Sequence, residues 1–228
     1  MATTGICNSF KVELMQGAHN FNATLSSLAG AGTSGAFTIT GLASTAGITA
    51  SMAANGTNVA AGAIVATVDS TTAVTVSKAH TGTVTSGTIG FTADAFKLAL
   101  VKAGPGRTFD ATQTNIGTPG TSAPSATNLG TDEITASGTY SSGGMALVNT
   151  TPALSSTTAV ATFSNVSITS ATITTTAAII YNTATRLGSV TGRTVSVHDF
   201  GGPQTVTSGT LTLTMPTADS VNGLLRIA

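Results

Sequence analysis

Apolar positions recur every four residues at only one place, the start of the chain. There Ile6, Phe10 and Leu14 share one face of a helix predicted over 6–17, with Lys11 and Glu13 pointing elsewhere. Asn8 or Ser9 can cap its start and Gly17 can end it. A helix of about twelve residues is marginal alone, so its stripe must dock. Ile6, Phe10 and Leu14 are the candidate docking stripe onto a neighbouring subunit, and an ordinary intramolecular core is the alternative.

Elsewhere the pattern is one of short runs rich in Val, Ile and Thr. From Asn22 to Gly35 the residues are mostly Ala, Gly, Ser and Thr, which reads as a linker. Strands are then predicted at Ala36–Thr40, Ala63–Val68, Ala73–Ser77 and Thr88–Thr92, separated by turn residues such as Asn55-Gly56 and Asp69-Ser70. That set suffices for a small barrel or sandwich. Ala95–Leu100 alternates again. The segment Gly104–Gly130, interrupted by Pro105, Pro119 and Pro124, reads as a long exposed loop or arm. Later candidates are Gly144–Asn149, Ala159–Phe163, Ser170–Tyr181, Thr194–Phe200, Thr210–Met215 and Gly223–Ile227. In Thr210–Met215 strict alternation sends Leu211, Leu213 and Met215 inward and the threonines outward.

The fold class that follows is all-β: an antiparallel β-sandwich, jelly-roll-like or Ig-like, with one short N-terminal helix. Removing 24–93 would join His19-Asn20-Phe21 directly to Asp94-Ala95-Phe96. The expected organisation is a sandwich built from 1–23 and 94–228 with a small β module, 24–93, inserted.

Composition strengthens the β reading and narrows the function. Of 228 residues 47 are Thr, whose branched β-carbon favours extended backbone. Only 7% are charged, and Lys+Arg balance Asp+Glu at 8 each, so no basic footprint exists for nucleic acid or anionic lipid. A low-charge, Thr-rich β surface is poorly defended against association. The first residues lack the basic start and apolar run of a signal peptide, and no apolar run of about 18 residues could span a membrane. The expectation is a protein made in a cytoplasm, without membrane or nucleic-acid partners. The lone Cys7 reads as an inert thiol, with only Lys11 close enough in sequence to activate it.

The apparent chemical motifs carry little. Gly30, Gly32 and Gly35 match G-x-G-x-x-G, but a strand follows where a phosphate-binding helix would have to begin. Asp199-Phe200-Gly201 spells a kinase tripeptide without the other kinase parts. His19, His80, His198 and Cys7 lack zinc-ligand spacings, and a long-range triad through His198 is a remote reading. Asp132-Glu133 reads as a solvated turn, because strand neighbours face opposite sides. Asn22, Asn55, Asn149 and Asn165 begin N-x-S/T triplets of no glycosylation meaning without a secretory signal. Catalytic, metal-binding and cofactor-binding residues are therefore expected to be none.

Two stretches carry a resemblance. Ile39-Thr40-Gly41-Leu42 through Ile48 and Met52, with Gly56-Thr57-Asn58-Val59, Val68-Asp69-Ser70 and Val74–Ser77, is similar to a small β module recurring in tailed-bacteriophage structural and tail proteins. It departs at Thr49-Ala50-Ser51, where that pattern has a more apolar, Gly-containing approach to the methionine. Ile6–Leu14 with His19-Asn20-Phe21, Phe96–Leu100, Tyr140–Gly144, Asp199–Gly202 and Pro216–Asp219 resembles a family of small phage virion proteins. The resemblance implies a phage-particle protein and does not fix its place in the particle; since a low-charge Thr/Ser/Asn surface suits a wet, repeated interface, the leading expectation is a non-enzymatic capsid decoration or cement protein on the virion exterior. Its partner would be the major capsid protein, with self-association into trimers. The alternative is a tail component (tube, tip or fibre-attachment protein, with tail proteins as partners). A carbohydrate-binding module, disfavoured by zero Trp, comes next, and an enzyme last.

Overall fold

The computed structural model describes residues 1–102, 108–120, 122–184 and 191–228. In chain order its elements are β1 (Gly5–Ile6), α1 (Asn8–Met15), β2 (Leu25–Gly32), β3 (Thr38–Ile39), β4 (Ala53–Asn55), β5 (Ala63–Ser70), β6 (Ala73–Val76) and β7 (Val84–Thr92). Then follow β8 (Phe96–Val101), a 3-10 turn at Gly130–Asp132, β9 (Met145–Leu147), β10 (Ala153–Ser155), β11 (Thr158–Ala161), β12 (Val166–Asn182), β13 (Arg193–Leu213) and β14 (Leu225–Ile227). The protein is an all-β antiparallel sandwich with one short N-terminal helix. The chain divides into two compact units, one of Met1–His19, Ala95–Val148 and Ala153–Ala228, the other of Asn20–Asp94 with Asn149–Pro152.

The first unit is organised by a five-stranded sheet in the order β1-β13-β12-β8-β9 and a three-stranded sheet, β10-β11-β14. Residues Ala177–Asn182 of β12 and Leu98–Val101 of β8 are buried at consecutive positions, as expected of strands covered on both faces. β12 and β13 form a long ribbon interrupted by bulges. The largest lies at Phe200–Pro203, since Asp199 pairs with Ala177 but Gln204 already pairs with Thr175. Bulges of this kind bend a ribbon and increase its twist, so Thr194–Phe200 and Thr210–Met215, read separately from sequence, belong to one strand. Leu211, Leu213 and Met215 are half-buried while Thr212 and Thr214 are exposed, as the alternation requires.

The helix is shorter than its apolar spacing suggests. Gly5 and Ile6 pair with Val197 and Ser196, and the Cys7 N–H donates to the Val195 carbonyl at 2.9 Å, so the ladder to β13 holds these residues extended. Cys7, not Asn8 or Ser9, takes the capping position, without a side-chain cap. Gly17, at φ +72°, ends the helix, with the Ala18 N–H returned to the Glu13 carbonyl.

The described part of Gly104–Gly130 is a loop without a named strand, exposed over most of 117–128 but anchored on either side of that stretch. Phe109, Gln113, Ile116 and Leu129 are buried, the Phe109 and Ile116 N–H groups donate to Met1 and Gly192, and Leu129 N–H donates to Ile116. Three apolar side chains spaced along a polar segment are enough to pin it to the sandwich. Pro105 lies outside the described residues.

The second unit is a six-stranded sheet in the order β2-β7-β4-β5-β6-β3. Its ends meet: Ala31 and Thr40 exchange backbone hydrogen bonds of 2.8 Å each, closing the sheet into a small barrel. Ile39, Leu42, Met52, Ala63, Val65, Val74, Ile89 and Phe91 fill it. The supposed linker is strand β2, and its glycines are the reason it fits. A Cβ at Gly30 would lie 2.7 Å from Ile89 Cδ1, and one at Gly32 would lie 2.6 Å from the His80 ring. At the unit's ends Asn20 N–H donates to Asp94 Oδ2 and Asp94 N–H to Asn20 O, while Asn149 Nδ2 donates to the carbonyls of Asn22 and Asp94.

Candidate functional site

The residues expected to form one docking stripe do not share a surface. Ile6 sits in β1 and lines a cleft with Thr158, Leu224 and Arg226, Phe10 is buried, and Leu14 is half-buried. The four-residue spacing fails because only Phe10 and Leu14 are helical. The helix's buried face is Phe10 and Glu13, and the apolar side chains it exposes are Val12 and Met15.

Beneath that face lies a buried polar knot. Glu13 Oε1 accepts from Arg193 Nη1 at 2.8 Å and Oε2 from His19 Nε2 at 2.9 Å. Asn182 Nδ2 lies 3.0 Å from His19 Nδ1, so a neutral ring donating through Nε2 and accepting through Nδ1 satisfies both neighbours. Phe10 and Phe96 flank the imidazole, with ring centroids 4.8 and 6.4 Å away. The Glu13 carboxylate holds both the imidazole and one guanidinium nitrogen. The knot binds α1 to β12 and β13 rather than presenting chemistry to solvent. Cys7, also buried, has its thiol pushed up by burial and stays protonated at neutral pH.

Glu133 is not a solvated turn residue. Its Oε1 accepts from the Tyr140 hydroxyl at 2.9 Å and the Gly143 N–H at 2.7 Å, and Oε2 accepts from Ser142 at 3.3 Å. The Tyr140 oxygen in turn accepts the Leu100 N–H at 2.9 Å, and Tyr181 donates to the Gly143 carbonyl. Burial, and secondarily the Glu133 charge, pushes the Tyr181 phenol up to about 12 and raises that of Tyr140 as well. Tyr140→Phe removes a hydroxyl that both donates to Glu133 and accepts from the Leu100 N–H. The expected loss is about 1–3 kcal/mol, seen as a lowered denaturation midpoint; an unchanged midpoint would show that the junction carries no stability.

His198 is paired, with Ser196 Oγ 2.9 Å from its Nε2. The pairing arises because i and i+2 share a strand face. Ser196 is only 1% exposed, and the Asp199 carboxylate turns to the Gly201 N–H instead of the imidazole. Burial lowers the His198 pKa. His198 borders a groove of about 320 Å³ with Leu98, Ile180, Leu213 and Met215. His80 Nε2 donates to the Thr38 carbonyl at 2.9 Å, far in sequence from the other histidines. Among the described residues no three His, Cys, Asp or Glu side chains are grouped as a metal site, and no helix is long and apolar enough to cross a membrane.

An exposed apolar row crosses the three-stranded sheet. Leu154 pairs with Ala159, and Ala159 pairs with Ile227, so the three side chains line up across β10, β11 and β14. Leu154 is 76% and Ile227 60% exposed. Inward, Thr158 and Val160 are buried. The sequence reading placed strands near Ala159 and Ile227 but missed β10. The available signal was Ser155-Ser156-Thr157-Thr158, a tight turn with Ser156 at φ +58°, which sets Leu154 opposite Ala159.

No protein-family model, curated protein or solved structure matches the chain.

Proposed function

We propose that this chain is a non-enzymatic structural protein of a tailed-bacteriophage particle, a decoration or cement protein bound to the outer face of the capsid lattice. The observation that carries the reading is the Leu154–Ala159–Ile227 row, an aliphatic strip open to solvent on an ordered sheet. With so few charges on the chain, such a strip suits docking by apolar burial and hydrogen bonding rather than by ion pairing. Its partner in this reading is the capsid subunit, following the resemblance of the inserted β module and of the remaining segments to virion proteins. Binding the assembled lattice but not the free subunit stabilises the shell by mass action.

The test has two parts. Gold-labelled antibody against the polypeptide is expected to decorate heads evenly in electron micrographs of intact particles. Label confined to the tail would replace this reading with a tail component, and unlabelled particles would end the virion reading. In co-sedimentation with purified shells, L154K/I227K is expected to bind at least about 100-fold more weakly, since each buried Leu or Ile side chain contributes roughly 1.5–3 kcal/mol. Undiminished binding would remove the strip from the interface.

A further inference from the structure

We infer that Asn55 is a modification site: its side-chain amide is lost spontaneously through a cyclic imide closed by the Gly56 backbone nitrogen, while the chain's second Asn-Gly pair, Asn222-Gly223, is held against the same reaction. The inference stands apart from the virion reading and needs no partner other than water.

The chemistry begins with the residue pair. With no Cβ on the following residue, little crowds the approach of its backbone nitrogen to the asparagine side-chain carbon. Once hydroxide has taken its proton, the Gly56 nitrogen attacks Asn55 Cγ. A C–N bond forms there, the bond from Cγ to Nδ2 breaks, and ammonia leaves with a proton drawn from water. Water then opens the five-membered imide at either carbonyl, giving aspartate or isoaspartate. The balance is one amide and one water in, one carboxylate and one ammonium out, with nothing oxidised or reduced.

The surroundings separate the two pairs. Asn55 is the last residue of β4 and is exposed. It pairs with Gly90 of β7, whereas the β5 ladder reaches only Ala54, so a single ladder holds it. Strand ends of that kind open readily. Its amide makes one contact, from Nδ2 to Thr92 Oγ1 at 3.2 Å, and among the described residues no group accepts the Gly56 N–H. The nucleophile is free, and one neutral hydrogen bond holds the leaving group.

At Asn222 each reacting group is tied to Asp219. The Asn222 N–H donates to Oδ1 at 2.6 Å, Nδ2 donates to Oδ2 at 2.9 Å, and the Gly223 N–H donates to the Asp219 carbonyl at 3.0 Å. Gly223 is also buried. The Asn222 side-chain bond first, then the Asn222 and Val221 N–H bonds, hold the Asp219 carboxyl below its ordinary value, so it is ionised at neutral pH. An anion beside the Gly223 amide opposes the loss of its proton. The Asn222 side chain cannot turn toward the imide geometry without giving up a charge-assisted bond.

The two products act differently on the barrel. Aspartate at position 55 keeps its neighbour, because the Thr92 hydroxyl can turn from acceptor to donor. Isoaspartate routes the main chain through Cγ, which adds one carbon and takes the pairing with Gly90 out of register. Either product adds a negative charge to a chain whose formal net charge is zero.

Peptide mapping by mass spectrometry, on the full chain kept folded at mildly alkaline pH and on the same chain in urea, tests this. In urea both positions are expected to convert at similar rates, since the residue pair is the same. In the folded chain position 55 is expected to gain one mass unit, as aspartate and isoaspartate, at least about tenfold faster than position 222, the factor that one or two extra hydrogen bonds impose. Asp219→Ala is expected to raise the rate at Asn222 by at least about tenfold and to leave that at Asn55 unchanged. Equal rates at the two positions of the folded chain, no conversion at Asn55 while the urea sample converts, or a rate at Asn222 unmoved by Asp219→Ala would each overturn the proposal.

Discussion

Replacing Glu13 with alanine is expected to lower the stability of the chain by about 3 kcal/mol, among the largest effects of any single substitution at a polar residue. Arg193 and His19 both point at this carboxylate, at 2.8 and 2.9 Å, and the Glu13 and Arg193 side chains are each only 11% exposed. Removing one member of such a pair strands a desolvated guanidinium from its counter-charge, which costs more than the pair itself contributes. For a unit of this size the loss corresponds to a fall of roughly 6–12 °C in Tm. The double substitution E13L/R193M removes both charges together and is expected to be less damaging than Glu13→Ala alone. Calorimetry of the wild type, E13L, R193M and the double closes the cycle. A loss below about 1 kcal/mol for Glu13→Ala, within the range of exposed ion pairs, would show that the knot does not hold the helix.

Phe91→Ala is expected to be comparably severe and confined to the barrel. Phe91 is fully buried, paired through its backbone with Leu25 on one side and Ala54 on the other. Truncating a buried Phe costs about 3–5 kcal/mol. A barrel of this length has little stability in reserve, because small domains bury a smaller fraction of their surface. Amide hydrogen exchange read by mass spectrometry should then show protection lost across β4, β5 and β7. The amides of β8 and the buried half of β12 should keep theirs. Equal loss in both sets would mean that the two units unfold as one, and retained protection in the barrel would mean that Phe91 is not its keystone.

The same contrast between near and far neighbours separates what was legible in the chain from what was not. The Leu211, Leu213, Met215 alternation was readable because a strand's two faces are decided by positions two apart. β2 was not, because Ala, Gly and Ser carry no strand preference. Its conformation is imposed by barrel closure, where only glycine tolerates Ile89 and His80 at such close approach. Helix spacing through Ile6 misled for a related reason: β13 captured Gly5 and Ile6 in a ladder with residues about 190 positions away. The bulge at Phe200–Pro203 had the look of a strand end, and only pairing to β12 on both sides of it shows one strand.

The candidate sites divide in the same way. The two Asn-Gly pairs are identical in the sequence, and the end of β4 and the turn at Asp219 set them apart. Leu154 and Ile227 are unremarkable until β11 brings them into one row. By itself the sequence determined an all-β chain with one short helix, low in charge and rich in threonine, because backbone preference and alternation act between near neighbours. Only the tertiary structure decided that Glu13, His19, Asn182 and Arg193 would share one buried site, that the sheet of the second unit would close, and that Leu154 and Ile227 would share one row. Those outcomes depend on strand register and on burial between residues as much as about 190 positions apart, and no local pattern encodes them.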